Sequence, residues 1–233
     1  MYKKQILLTL FVLILSLQSD AQTIRFEGKD FEIANVKASI VDFDGAKVLK
    51  VERDMAKIPF DPNRLESTVD EPTFVKLKDF SMDDGSIEVK VYSQIQDPSP
   101  FEFAQGFIGL AFRIAEDNDA FESIYLRPKV GRSDSQEHRN KTVQYYSYPN
   151  YKFERLRKEH PSRYETAAPV ALKEWIALRI EINGGKAEMY INGEKYSTIV
   201  VSKLLGSHKN GSVGLWVDIG TIGYFKELKI TKN

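Results

Sequence analysis

The chain has 233 residues, with 33 Lys and Arg balancing 33 Asp and Glu, three His and no Cys. A zero net charge argues against a nucleic-acid binder, which normally carries a basic surface. Without Cys there are no disulfides, no Cys-ligated zinc and no Cys nucleophile, so the fold must rest on its core alone.

The N-terminus carries Lys3 and Lys4, then an apolar run from Ile6 to Leu17, then small Ser19 and Ala21 before Gln22. A charged start, an apolar middle and a small-residue exit are the marks of a secretory signal peptide. The apolar run is also too short for a membrane span, which needs about 20 residues. Residues 1–21 are therefore expected to be removed. Residues 22–233 are expected to form one exported domain, periplasmic or extracellular, with no membrane span and a net charge of −1.

From Ala56 to Phe74 the Pro- and Asp-rich sequence reads as a long loop. Beyond it the periodicity is two. In Gly85–Ile95 the residues Ile87, Val89 and Val91 share a face. In Gly106–Ile114 the apolar face is Ile108, Leu110, Phe112 and Ile114, which leaves Arg113 on the other side. In Phe121–Pro128, Glu122, Ile124 and Leu126 face one way, and Phe121, Ser123, Tyr125 and Arg127 the other. Glu174–Ile182 alternates Ile176, Leu178, Ile180 and Ile182, headed by Trp175, which is expected in the core. Such alternation predicts half-buried strands.

Asn183-Gly184-Gly185 and Asn192-Gly193 supply residues that tolerate positive φ, so two successive hairpins follow. The C-terminal stretch reads as two more strands, with Val213, Leu215 and Val217 opposite in phase to Trp216 and Asp218. Helix signals are few: one turn at Ser202–Gly206, and about two turns in Tyr151–Pro161 before the proline stops them. Many short strands joined by short turns predict an all-β sandwich or jelly roll of two antiparallel sheets with one or two short helices.

The charge is uneven. Between Tyr125 and Tyr164 lie ten Lys and Arg against four Asp and Glu, with six of the eleven arginines, six of the eleven tyrosines and two of the three histidines. Aromatic rings cover the apolar faces of sugars, and Arg, Asn and Gln satisfy their hydroxyl edges or a carboxylate. The residues expected to contact a ligand are Arg113, Tyr125, Arg127, Arg132, Arg139, Asn140, Gln144, Tyr146 and Trp216. If the protein is an enzyme, His138 or Tyr145 is the candidate base, with Arg as the charge clamp. The expected partner is an oligo- or polysaccharide, with anionic chains among the candidates.

The order "EWIALRIEINGGKAEMYINGE", "GSVGLWVD", "YFKELKI" resembles the closing strands of concanavalin A-like lectin/glucanase jelly rolls. The pair "GFIGLAFRI" and "FESIYLRP" is similar to the central strands of that superfamily. Within it, the chain resembles secreted bacterial domains patterned on Tyr125–Pro128, Gly131-Arg132, Asp134, Arg139-Asn140, Gln144-Tyr145, Arg155–Glu159 and Tyr164-Glu165. The likeness spans most of Gly85–Ile230 and implies a concanavalin A-like jelly roll in a polysaccharide context, without selecting a reaction.

The glucanase pattern E-x-D-x-x-E, which sets two carboxylates on one strand face, is absent, and so are the lyase patterns R-T-E-L-R and Q-I-H. The acids of Glu116–Glu122 lack the spacing of a calcium loop, and the three His lack zinc spacing. No cofactor is expected, although the resemblance leaves a structural calcium open. Three readings follow: a carbohydrate-binding accessory protein, a lyase or atypical glycoside hydrolase using the Arg/His/Tyr loop, and a structural envelope protein whose basic loop packs on its own sandwich.

Overall fold

The computed structural model describes residues 22–233; the expected signal peptide, residues 1–21, lies outside them. The chain runs through β1 (Thr23–Phe26), β2 (Lys29–Ala34), β3 (Val36–Phe43) and β4 (Ala46–Arg53), then α1 (Leu65–Thr68) and β5 (Phe74–Leu77). Next come β6 (Gly85–Ile95), β7 (Ile108–Ile114) and β8 (Phe121–Leu126), a 3₁₀ turn at Pro128–Val130, α2 (Gln136–Arg139) and β9 (Val143–Tyr148). It closes with α3 (Phe153–Glu159), β10 (Glu165–Thr166), β11 (Ile176–Asn183), β12 (Lys186–Ile191), β13 (Ile199–Val201), β14 (Ser212–Val217) and β15 (Thr221–Lys232).

The strands form two antiparallel sheets, one ordered β1-β2-β5-β14-β7-β8-β9-β10 and the other β13-β12-β11-β6-β15-β4-β3. The described residues form an all-β jelly-roll sandwich whose helices are all short. The inner faces meet through residues the alternation assigns to them: Ile87, Val89 and Val91 from β6, Ile176, Leu178, Ile180 and Ile182 from β11, and Leu110, Ile124, Val213 and Leu215 from the first sheet. Each buried aliphatic side chain contributes roughly 1.5–3 kcal/mol of transfer free energy, and this core holds the two sheets together.

Several local expectations are corrected. Ser202–Gly206 is not helical, whereas α1 and α2 are helical turns the sequence did not announce. The α2 turn starts at Ser135, whose hydroxyl accepts the His138 N–H at 3.4 Å. Trp175 is not in the core. It lies one residue out of phase with Ile176, is half-exposed, and donates its indole N–H to Asp44 at 2.7 Å under the Lys226 ammonium.

Arg113 and Ile114 exchange faces. The pairing of β14 with β7 slips between Ser212 and Gly214, and Arg113 takes φ +52 at that point. A bulge of one residue reverses the phase of everything beyond it. Arg113 therefore turns inward, bonding the Gly184 carbonyl and lying 3.7 Å from Glu122, while Ile114 reaches Gly214 on the outer face.

The outer face of the first sheet carries a row of facing residues across five strands: Phe74, Trp216, Gly109, Tyr125 and Gln144. Glycine is required at 109, since a Cβ there would sit 2.4–2.5 Å from the Ile124 carbonyl and Tyr125 Cα. With no side chain between them, the Tyr125 and Trp216 rings close to 4.9 Å, and Tyr146 joins both at under 6 Å. This face is not open to solvent. The segment from Ala56 to Thr73, the loop before β7 and helix α3 fold over it, so Trp216, Tyr125 and Tyr146 are all buried.

Candidate functional site

A cavity of about 260 Å³ opens where these covering segments meet the sheet. Its sheet-derived wall is Tyr125 with Arg127 and Asp218 from the strand ends. The loop before β7 supplies Phe101, Phe103, Gln105 and Phe107, and α3 supplies Phe153 and Arg157. Asp70 and Val69 enter from the segment after α1, and His138 and Lys141 stand at the side formed by α2. Phe103 is 65% exposed, so the cavity has an aromatic rim facing water.

Arg127 is held from every side. Its guanidinium donates to the Lys141 carbonyl at 2.7 Å, to Gln144 Oε1 at 3.4 Å, to the Tyr125 hydroxyl and to Glu165 at 3.3 Å. Arg157 donates to the same Glu165 oxygen at 2.9 Å through Nε. Two cations thus share one buried carboxylate beside the cavity. Both guanidinium groups converge on its Oε1, Arg157 through two of its nitrogens.

Asp218 anchors the opposite wall. Its Oδ1 accepts from Arg53 at 2.7 Å and from the Ile219 N–H at 2.7 Å; its Oδ2 accepts the Asp70 N–H at 2.8 Å. Asp70 in turn accepts the Phe153 N–H through Oδ2 at 2.8 Å, and so ties α3 to the segment after α1. Asp70 stands at φ +55, a left-handed conformation that Asp tolerates better than most residues. Burial lifts its carboxyl to a pKa of about 6. The Asp218 charge adds to the rise, and the Phe153 hydrogen bond, Arg127 and Lys152 oppose it.

Of the residues expected at a site, Tyr125, Arg127 and His138 line this cavity. Gln144, Tyr146 and Trp216 lie on the same outer face but beneath it. Gln144 is spent on Arg127 and the Tyr145 and Tyr164 carbonyls, and the Trp216 indole donates to the Glu71 carbonyl at 2.9 Å. The Tyr146 hydroxyl is buried without a hydrogen-bond partner among the described residues.

The rest are elsewhere. Arg132 is exposed and bonds Glu174 at 2.9 Å and the Pro169 carbonyl. Arg139 and Asn140 are engaged within their own loop, by Ser133 and Gln136. Arg113 is turned into the sandwich.

Tyr145 neighbours Tyr146 in the strand and so faces the opposite way, into the sandwich. Its hydroxyl donates to Glu122 and accepts the Leu205 N–H at 2.7 Å. Burial, reinforced by the Glu122 charge, pushes the phenol pKa well up, so this hydroxyl keeps its proton. Arg132, His138 and Tyr145 therefore do not converge.

Sequence reading missed Asp70, Asp218 as an anchor, Arg157 as a cavity wall, and the four phenylalanines. The phase of Asp218 with Trp216 was a usable signal. Asp70 and the phenylalanines lie in loops or a helix end, where no periodicity points anywhere. Among the described residues, no group of three or more His, Asp or Glu is placed to hold a metal, and no helix is long and apolar enough to cross a membrane.

No family model matches the chain, and no curated protein matches it significantly. Solved structures do match. The carbohydrate binding module CBM66 from Bacillus subtilis superposes with a TM-score of 0.51 at 13% identity, covering 85% of this chain and 96% of that one. A mutant of the GH43 protein BlXynB from Bacillus licheniformis gives 0.50 at 12% identity, over 91% of this chain and 38% of its own length. The Bacillus licheniformis β-glucanase gives 0.46 at 10% identity, covering 91% and 92%. At these identities the likeness to the first two is one of fold alone.

Proposed function

We propose that the protein is an exported carbohydrate-binding jelly roll, an accessory in polysaccharide recognition, that takes a short saccharide or a chain end in the cavity over Tyr125. The observation that carries this reading is the composition of that cavity. Phe101, Phe103, Phe107, Phe153 and Tyr125 offer ring faces, while Arg127, Arg157, Asp70 and Gln105 offer hydrogen-bonding groups in the same space. Sugars need both, because their C–H faces are apolar and their edges are hydroxyl-rich. The volume, about 260 Å³, lies just below the roughly 300–1,000 Å³ typical of small-molecule sites, which favours an end over the middle of a polymer. The two arginines suit an acidic sugar, although both already share Glu165. The fold neighbour described as a carbohydrate binding module is consistent with this use of the scaffold. Export rests on the pattern of residues 1–21.

The test is calorimetric titration of the protein with a panel of neutral and uronic-acid oligosaccharides. Binding to at least one member is expected, weakened tenfold or more in Phe103→Ala and Arg157→Ala and unchanged in Arg132→Ala. Binding to no member, or binding indifferent to the first two substitutions, would overturn the assignment.

A further inference from the structure

We infer that the cavity also cleaves what it binds, with the Asp70 carboxyl donating its proton to the bridging oxygen of a glycosidic bond. The inference rests on the saccharide-binding reading above and adds an activity to it.

Asp70 is only 2% exposed, yet it lines the cavity. Its position is fixed at two atoms. The backbone N–H is held by Asp218, itself locked by Arg53 and the Ile219 N–H, and Oδ2 is held by the Phe153 N–H. Oδ1 is the carboxyl oxygen not committed to the backbone. A side chain placed this firmly needs little reorganisation when it reacts.

The charged and titratable groups facing it are Asp218, Arg127, Lys152, Arg157, Tyr125 and Tyr146. The balance is dominated by burial and lifts the carboxyl to about 6, so near that pH a substantial fraction carries the proton a general acid must deliver. The other acidic groups nearby are unsuited. Both Asp218 oxygens accept hydrogen bonds from Arg53 or the backbone, and burial holds the Tyr125 proton in place. Glu122 lies on the inner face of the sheet, away from the cavity.

The step balances with water as co-reactant. The Asp70 proton passes to the bridging oxygen as the bond from that oxygen to the anomeric carbon breaks, and the bonding pair stays on the oxygen. Water forms the new bond to the anomeric carbon and gives up a proton to the His138 imidazole at the cavity wall, which passes it to solvent. Asp70 takes a proton back from solvent. Among the described cavity-lining residues no second carboxylate is free to act as nucleophile, so attack is by water and the anomeric configuration inverts.

The experiment uses the full chain with 4-nitrophenyl glycosides and disaccharides of glucose, galactose, xylose, arabinose and glucuronic acid. Release of nitrophenol or reducing sugar and calorimetric binding are measured side by side. Turnover of at least one probe is expected, with an inverted first product by proton NMR. Asp70→Asn should lose at least about a hundredfold in kcat on the disaccharides at saturating substrate, the usual share of a general acid, with binding still measurable. The wild-type rate should fall as pH rises above about 6; this pH profile does not depend on whether the variant folds. Binding without turnover would overturn the inference and leave the binding reading standing. So would full activity on the disaccharides in a folded Asp70→Asn protein, or a rate that goes on climbing above about pH 6. Absence of both binding and turnover would remove both readings.

Discussion

Replacing Asp70 by Asn should make the protein more stable, and the gain should depend on pH. Asp70 is fully buried, and its pKa rises from an ordinary 3.8 to about 6 on folding. The folded state therefore holds the proton more tightly than the unfolded chain. Stability is fully present below pH 3.8 and is lost as pH climbs through 6, because the unfolded chain ionises first. With these two values, linkage gives a cost of about 3 kcal/mol at pH 8 and about 0.5 kcal/mol at pH 4. Asn cannot ionise, and its carbonyl can still accept the Phe153 N–H. Its two N–H groups need acceptors in the cavity, so 3 kcal/mol is an upper bound on the gain. Urea denaturation of both proteins at pH 4, 6 and 8 measures the difference. Glu122, lifted from 4.5 to about 7 by its own burial, tilts both curves the same way and cancels in the comparison. A difference that is flat with pH, or an Asn variant less stable than wild type at pH 8, would refute the account of Asp70 as a desolvated acid. A variant that is more stable at pH 8 but inactive would show a carboxyl kept at a cost in stability, as functional sites often show.

Arg53→Met should destabilise by about 3–5 kcal/mol, since it leaves the Asp218 charge buried without its cation. Because Asp218 also holds the Asp70 N–H, saccharide affinity should fall together with the melting temperature; affinity unchanged at a temperature where the variant is folded would uncouple the two walls. Tyr145→Phe should cost about 1–3 kcal/mol, as it strips the buried Glu122 of a donor and the Leu205 N–H of its acceptor. Its turnover and binding should stay at wild-type levels in the assays above, whereas a loss of turnover in folded protein would return Tyr145 to the site.

The strands were legible because alternation is a strong physical constraint: Ile87, Val89 and Val91 cannot all be buried in any other register. The same rule carried information about the site that the residue-type reading ignored. Tyr145 and Tyr146 are adjacent in one strand, so a single face cannot hold both, and the structure sends one inward to Glu122 and the other outward to Trp216. Arg113 was not legible, since the inserted residue that reverses its face leaves no mark in the apolar pattern.

Composition was the weakest guide. The basic stretch drew attention by its density of Arg, yet Arg132 and Arg139 serve loop geometry, and Arg157 from the same stretch reaches the cavity. Density of a residue type reports how many are near in sequence, while a site needs groups near in space. Asp70 shows this most plainly. It sits among ordinary loop acids, about 150 residues from Asp218 and 80 from Phe153, and only the folding of that loop over the sheet removes the water that would keep its carboxyl ordinary. The property that makes it a candidate acid is therefore created by the tertiary cover and belongs to no local pattern. A search for the site should begin from what covers the outer face, since an uncovered Tyr125 and Trp216 would present a flat strip, whereas under the cover Tyr125 becomes the wall of a cavity with Trp216 packed beneath it.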